Sequence, residues 1–199
     1  MNEPKPSCTI ARILLATIVA ALMTGLVDAG TLSPLVDDFS DPARNSLEIQ
    51  RMFLDDTSAG GKTRVEHRVQ AGVLSVSGEI EPPRGQPGWS STVLLLDPKG
   101  QPRDASAYQG IRLRIRISQG NVSISANSSK VANFDYHAAT VTVPGDGKFH
   151  EVKIPFSSMQ RMWSEKTSLD ARTIASISLV AFGVRKGPFD FEVDELSFY

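Results

Sequence analysis

From residue 111 the chain reads Ile111-Arg112-Leu113-Arg114-Ile115-Arg116-Ile117, with apolar and Arg side chains in strict alternation. Successive side chains of a strand point to opposite faces, so this segment predicts a strand with one oily side and one guanidinium side. The same period of two runs through residues 122–126, 140–143 and 189–194. Shorter apolar-rich stretches at 73–76, 93–96, 151–154 and 177–180 read as further strands. Turn chemistry separates them: Pro82-Pro83-Arg84-Gly85, Asp97-Pro98-Lys99-Gly100, Gln119-Gly120-Asn121, Gly145-Asp146-Gly147 and Lys186-Gly187-Pro188. Many short alternating strands with Gly/Pro turns predict an all-β fold, an antiparallel β-sandwich or jelly roll. Helix is limited to single turns, at 104–108 and 169–173, each opened by a capping residue.

The first 29 residues follow a different pattern. A polar start with Lys5 and Arg12 precedes an uncharged run over 13–27, and Val27-Asp28-Ala29 offers small residues to a signal peptidase. This order predicts a secretory signal over 1–29 and one domain over 30–199, secreted or periplasmic. A bilayer span needs roughly 20 apolar residues, so a retained anchor is the alternative and no stable span is expected after cleavage. Cys8 precedes the run, so the domain beyond it contains no cysteine.

Composition removes several classes of function. Lys plus Arg is 21 and Asp plus Glu is 22, a net charge of -1, which argues against a nucleic-acid partner. A single Cys excludes a disulfide framework and multi-Cys zinc modules. Gly60-Gly61-Lys62-Thr63 has the ending of a phosphate loop, but Asp56 stands where its first Gly is needed. His150-Glu151 opens like a zinc-protease motif, but Ile154 holds the second ligand position. No Gly-x-Ser-x-Gly elbow is found. His67 and His137 read as surface or internally satisfied side chains. No catalytic residue is assigned, and the reading is of a non-enzyme; a hydrolase hidden in a jelly roll is a remote alternative.

Candidate binding residues fall into three sets. Asp37, Asp38, Glu192 and Asp194 could converge if the first and last strands pair, and oxygen ligands suit a structural calcium ion. The alternative is a solvated face on which carboxylates meet the Arg row; apart from this ion no cofactor is expected. Trp89, Tyr136 and Trp163 offer flat rings for a ligand, or else plug the ends of the sandwich. Arg112, Arg114 and Arg116, with Ser123 and Ser125 expected on the next strand, suggest a polar open face. That face, with Trp89 and Trp163 at its rim, is the expected ligand surface; the competing reading pairs the Arg row with Asp190, Glu192 and Asp194.

Several stretches then carry a resemblance. They are Leu35-Val36-Asp37-Asp38-Phe39, Asp55-Asp56-Thr57-Ser58-Ala59-Gly60-Gly61-Lys62-Thr63, Gly72-Val73-Leu74-Ser75-Val76-Ser77-Gly78, and Tyr108-Gln109-Gly110-Ile111-Arg112-Leu113-Arg114. Ile154-Pro155-Phe156, Trp163 and Phe191-Glu192-Val193-Asp194-Glu195-Leu196 complete the order. Together they resemble the NADH:ubiquinone oxidoreductase complex I intermediate-associated protein 30 family. The resemblance implies a galactose-binding-like jelly roll without established enzyme activity, in a family whose mitochondrial members assist complex I assembly. The resulting expectation is an exported binding or assembly module that holds a protein or polar ligand. The alternative is an extracytoplasmic carbohydrate-binding module.

Overall fold

The computed structural model describes residues 31–199. The expected leader and its cleavage point lie outside the described residues. Among the described residues, twelve strands form two six-stranded antiparallel sheets. The first contains β3 (Arg64–Gln70), β4 (Val73–Ile80), β12 (Gly187–Phe198), β6 (Gly110–Gln119) and β9 (His150–Pro155) in that order. The short β1 (Leu35–Asp37) also pairs with β12, through Leu35 opposite Ser197 and Asp37 opposite Leu196. The second sheet runs β10 (Gln160–Arg161), β8 (His137–Val141), β7 (Asn121–Ser128), β11 (Ile174–Gly183), β5 (Gly88–Leu95) and β2 (Met52–Asp55). The all-β sandwich is as expected, and the first strand does pair with the last.

Alternation builds the interior. Ile111, Leu113 and Ile115 of β6, Phe189, Phe191 and Val193 of β12, and Ile124 and Leu179 of the second sheet are all buried in one cluster. Each contributes about 1.5–3 kcal/mol by leaving water. One irregularity keeps β12 in this core. Glu195 pairs with Arg114 and Val193 with Ile115, so Asp194 is an extra residue in the ladder. This bulge reverses the side-chain parity, and Leu196 and Phe198 return to the interior instead of facing water.

Helix is confined to short 3-10 turns among the described residues. The one at Ala171–Thr173 is capped by Asp170, as expected. Residues 104–108 form a turn held by Ser106 N–H donating to Asp104, not a helix. Two further 3-10 turns occur at Asp56–Ala59 and Phe156–Ser158. No helix among the described residues is long and apolar enough to cross a membrane.

Candidate ligand-binding face

The two sheets turn unlike faces to solvent. On the first, Arg112, Arg114 and Arg116 point outward, opposite the core side of β6. Each meets a carboxylate of β12: Arg112 with Glu195 at 2.5 Å, Arg114 with Asp194 at 3.0 Å, and Arg116 with Glu192. Phe149 lies beneath two of these guanidinium groups, 5.9 Å from Arg114 and 5.0 Å from Arg116. Arg64 pairs with Glu79, and Lys186 bridges Glu79 and Glu81. The Arg row is thus laced to its neighbour strand. Its partners are Glu192, Asp194 and Glu195, because the bulge turns both Asp194 and Glu195 outward.

Three placements correct the sequence reading. Ser123 and Ser125 do not adjoin the Arg row. The turn at Gly120 carries the chain from the first sheet into the second, where β7 pairs with β8 and β11. Trp89 and the Tyr136–Trp163 pair also belong to the second sheet's side, so they do not rim the Arg face. Nor do the four carboxylates gather. Asp37 is buried on Arg51, Asp38 accepts hydrogen bonds from Ser40 and Ser46, and Glu192 and Asp194 sit with Arg116 and Arg114. Among the described residues no three His, Cys, Asp or Glu side chains stand together to hold a metal ion.

The second sheet's outer face is built differently. Strand register lines up Met52, Val93, Ser178, Ser125, Ala138 and Gln160 in a row across all six strands. A second row holds Leu54, Ser91, Val180, Ser123 and Thr140. Their strand neighbours Leu94, Ile177, Leu179 and Ile124 fill the core, so these rows face away from it. Strands β5, β7, β8 and β11 contain no Asp, Glu, Lys or Arg. The charged residues of β2 and β10, Asp55 and Arg161, alternate to the other side. The face is therefore uncharged across its whole width.

It is also hollow. Ser125 and Ser178, at mid-sheet, are 2% and 4% exposed although they point away from the core, while Met52 and Leu54 on edge strand β2 are 41% and 45% exposed. Small side chains lie low at mid-sheet and larger ones stand at the β2 margin; this strip of low residues is termed the furrow. Asn127 ties its floor together by donating to Ser176 and Ser178, both at 2.9 Å. Trp89 stands opposite Phe182 at the far end of β5 and β11.

At the β10 margin one carboxylate organises two loops. Asp135 is buried and accepts from the backbone N–H groups of Tyr136, Met162, Trp163 and Ser164 and from the Ser164 hydroxyl. Arg161 Nε adds an ion pair at 3.1 Å. Burial alone would raise the carboxyl pKa, but these hydrogen bonds, from Ser164 foremost, hold it far below the usual range. Phe134, Met162 and Trp163 project from these loops into solvent. Nearby, His137 is buried with Nε2 3.0 Å from the Thr167 carbonyl, and its Nδ1 has no partner among the described residues. A carbonyl only accepts, so Nε2 carries the proton. His67 is exposed and stacks on Phe53, with ring centroids 3.6 Å apart.

The Gly-Gly-Lys-Thr segment is structural. Asp56 is fully buried and accepts from Thr63 N–H at 3.1 Å, Thr63 Oγ1 at 2.7 Å and Trp89 N–H at 3.1 Å. A Cβ on Gly61 would lie 2.2 Å from that carboxylate, so only Gly fits. This turn pins β3 and β5 together and leaves no space for phosphate.

The family model described as Complex I intermediate-associated protein 30 (CIA30) matches residues 38–193. The chain belongs to this family. No curated protein matches it at a significant level. Among solved structures, the chain is similar to the family 11 carbohydrate-binding module of the cellulosomal cellulase Lic26A-Cel5E of Clostridium thermocellum. Identity is 18%, TM-score 0.57, covering 82% of this chain and 92% of that one. A family 11 module from Clostridium thermocellum in complex with a β-1,3-1,4-mixed-linked tetrasaccharide gives 20% identity and TM-score 0.56, over 83% and 94% of the two chains. An agarase gives 12% and 0.55 over 82% of this chain and 24% of its own. At these identities the likeness is one of fold.

For this CIA30 member the furrow is the feature that reading residue types missed. Charged side chains drew attention to β6, whereas the signal in β5, β7, β8 and β11 is a run of Ser, Thr, Asn and Ala with no charge.

Proposed function

We propose that this protein is a non-catalytic binding module whose second-sheet face takes an uncharged, polyhydroxylated chain, a neutral glycan. The observation that carries this reading is the outward row from Met52 to Gln160, hydroxyl-floored and free of charge. A neutral sugar needs no ion to pair with and imposes no charge desolvation. Ser and Asn side chains both donate and accept, matching sugar hydroxyls. Met52, Leu54, Val93 and Val180 give the sugar C–H surfaces an apolar wall. Sandwiches of similar fold are named as carbohydrate-binding modules, which supports the reading by analogy. An export signal would bring such a module to polysaccharide outside the cytoplasm.

Affinity electrophoresis through gels holding neutral or anionic polysaccharides tests it. Wild type should be retarded by at least one neutral polysaccharide and by no anionic one. Thr140→Arg and Ser123→Arg place charge on the furrow and should abolish the retardation, while Arg114→Ala on the other sheet should not. Free migration of the wild type through every neutral gel would refute the proposal, as would retardation that depends on Arg114.

A further inference from the structure

We infer that the two loops at the β10 margin extend the furrow into an aromatic platform, so that the site takes a stretch of neutral oligosaccharide reaching Trp163. This rests on the proposed glycan reading and deepens it. Tyr136 immediately precedes β8 and alternates to the side of Ala138; Met162 alternates to the side of Gln160. Both therefore continue the outer face of the furrow. Trp163 is 59% exposed, and Tyr136 meets it edge-on, with centroids 6.0 Å apart and planes at 88°. That geometry leaves an indole face uncovered and sets a second ring as a wall beside it. Phe134 is 99% exposed on a left-handed backbone, φ 59°, against both its hydrophobicity and its backbone preference. Backbone held in that region and large apolar groups left in water both point to a contact surface.

The platform is fixed before any ligand arrives. Asp135 holds the backbone of both loops, and Arg161 reaches on to Asn133 Oδ1 at 2.7 Å. A ligand docking there orders little, so its contact appears as affinity. The occupant follows from continuity. The adjoining face has no charge along its six strands, and β7, which holds Ser125, lies two strand spacings, roughly 10 Å, from β10. Only an oligomer reaches from the floor at Ser125 to Trp163. Sugar rings offer C–H faces to an indole, and the hydroxyl floor receives the rest of the chain.

Titration calorimetry with oligosaccharides of graded length, dimer to hexamer, cut from the neutral polysaccharide that binds, reads this directly. Wild-type affinity should rise with length. Trp163→Ala should weaken the longest oligomers by roughly tenfold and leave the shortest unchanged, and Trp163→Phe should recover most of the loss. Thr140→Arg should remove binding at every length. If Thr140→Arg abolishes binding while Trp163→Ala matches wild type at every length, the platform is refuted and the furrow stands. If wild type binds no oligomer, both fall. Sedimentation with phosphatidylglycerol vesicles that Trp163→Ala abolishes would assign the loops to lipid and overturn the inference.

Discussion

Arg51 grips both carboxylate oxygens of Asp37, at 2.5 and 2.7 Å, with neither side chain exposed to solvent. Phe39, at φ 54°, closes the site: its N–H donates to Asp37 at 2.9 Å and its ring lies 5.1 Å from the guanidinium. Arg51 also donates to the Asp41 carbonyl at 2.8 Å. Burial raises the Asp37 pKa and the Arg51 hydrogen bonds oppose it. The pair locks the end of β1 against the residue that leads into β2. It is a structural clasp, not a ligand site.

Removing one partner strands a buried charge. Arg51→Ala should therefore cost about 3–5 kcal/mol, and Asp37→Ala a similar amount. Urea denaturation followed by circular dichroism measures both. A loss below 1 kcal/mol for either would show that the clasp does not hold in solution.

Acid should loosen the platform loops only well below the ordinary carboxylate range. The folded-state pKa of Asp135 is depressed, so its contribution is fully present above the ordinary value of about 3.9 and is lost progressively as pH falls from there through the depressed folded value. In a Trp89→Phe background, Trp163 emission should hold steady through the ordinary carboxylate range and shift only well below about pH 4, while the sheet signal persists. Asp135→Asn should remove this separate acid step. Emission that changes only with global unfolding would contradict the Asp135 account.

The Arg ladder should matter little to stability. Arg112, Arg114 and Arg116 are one-third or more exposed in these pairs. Exposed ion pairs contribute about 0–1 kcal/mol and are screened by salt. Arg114→Ala should lower stability by under about 1 kcal/mol, with the difference shrinking in high salt. A loss of several kcal/mol would mean the row is a buried network.

Gly120 sits at the turn between sheets with φ 82°, and an added Cβ would lie 2.7 Å from Cβ of Phe189. Gly120→Ala combines left-handed strain with overpacking and should cost about 1–3 kcal/mol. Thermal unfolding reads the shift. A neutral result would mean that the turn relaxes and that Phe189 does not fix the crossover.

Strand period was legible because each strand of the first sheet has one wet and one buried face, as in residues 111–117. The bulge at Asp194 was not, since two adjacent acidic residues in Asp194-Glu195 fit either parity until Leu196 and Phe198 must be buried. Gln119-Gly120-Asn121 carries the chemistry of a hairpin turn, yet it joins strands of different sheets. Local turn residues set the bend, while core packing sets the partner. That one ambiguity placed Ser123 and Ser125 beside the Arg row. The segment Asp55 to Thr63 carries part of the family resemblance, and in the structure Asp56, Gly61 and Thr63 form a buried carboxylate cage. The furrow was hardest to read because its mark is charge missing from four strands that sit together only after folding.

The most direct test is amide chemical-shift mapping during titration with the neutral polysaccharide fragment that binds. The account predicts shifts concentrated on β5, β7, β8 and β11, centred on Ser125 and Ser178 and reaching Trp163, with β6 and β12 unmoved. Shifts centred instead on Arg112, Arg114 and Arg116 would contradict it.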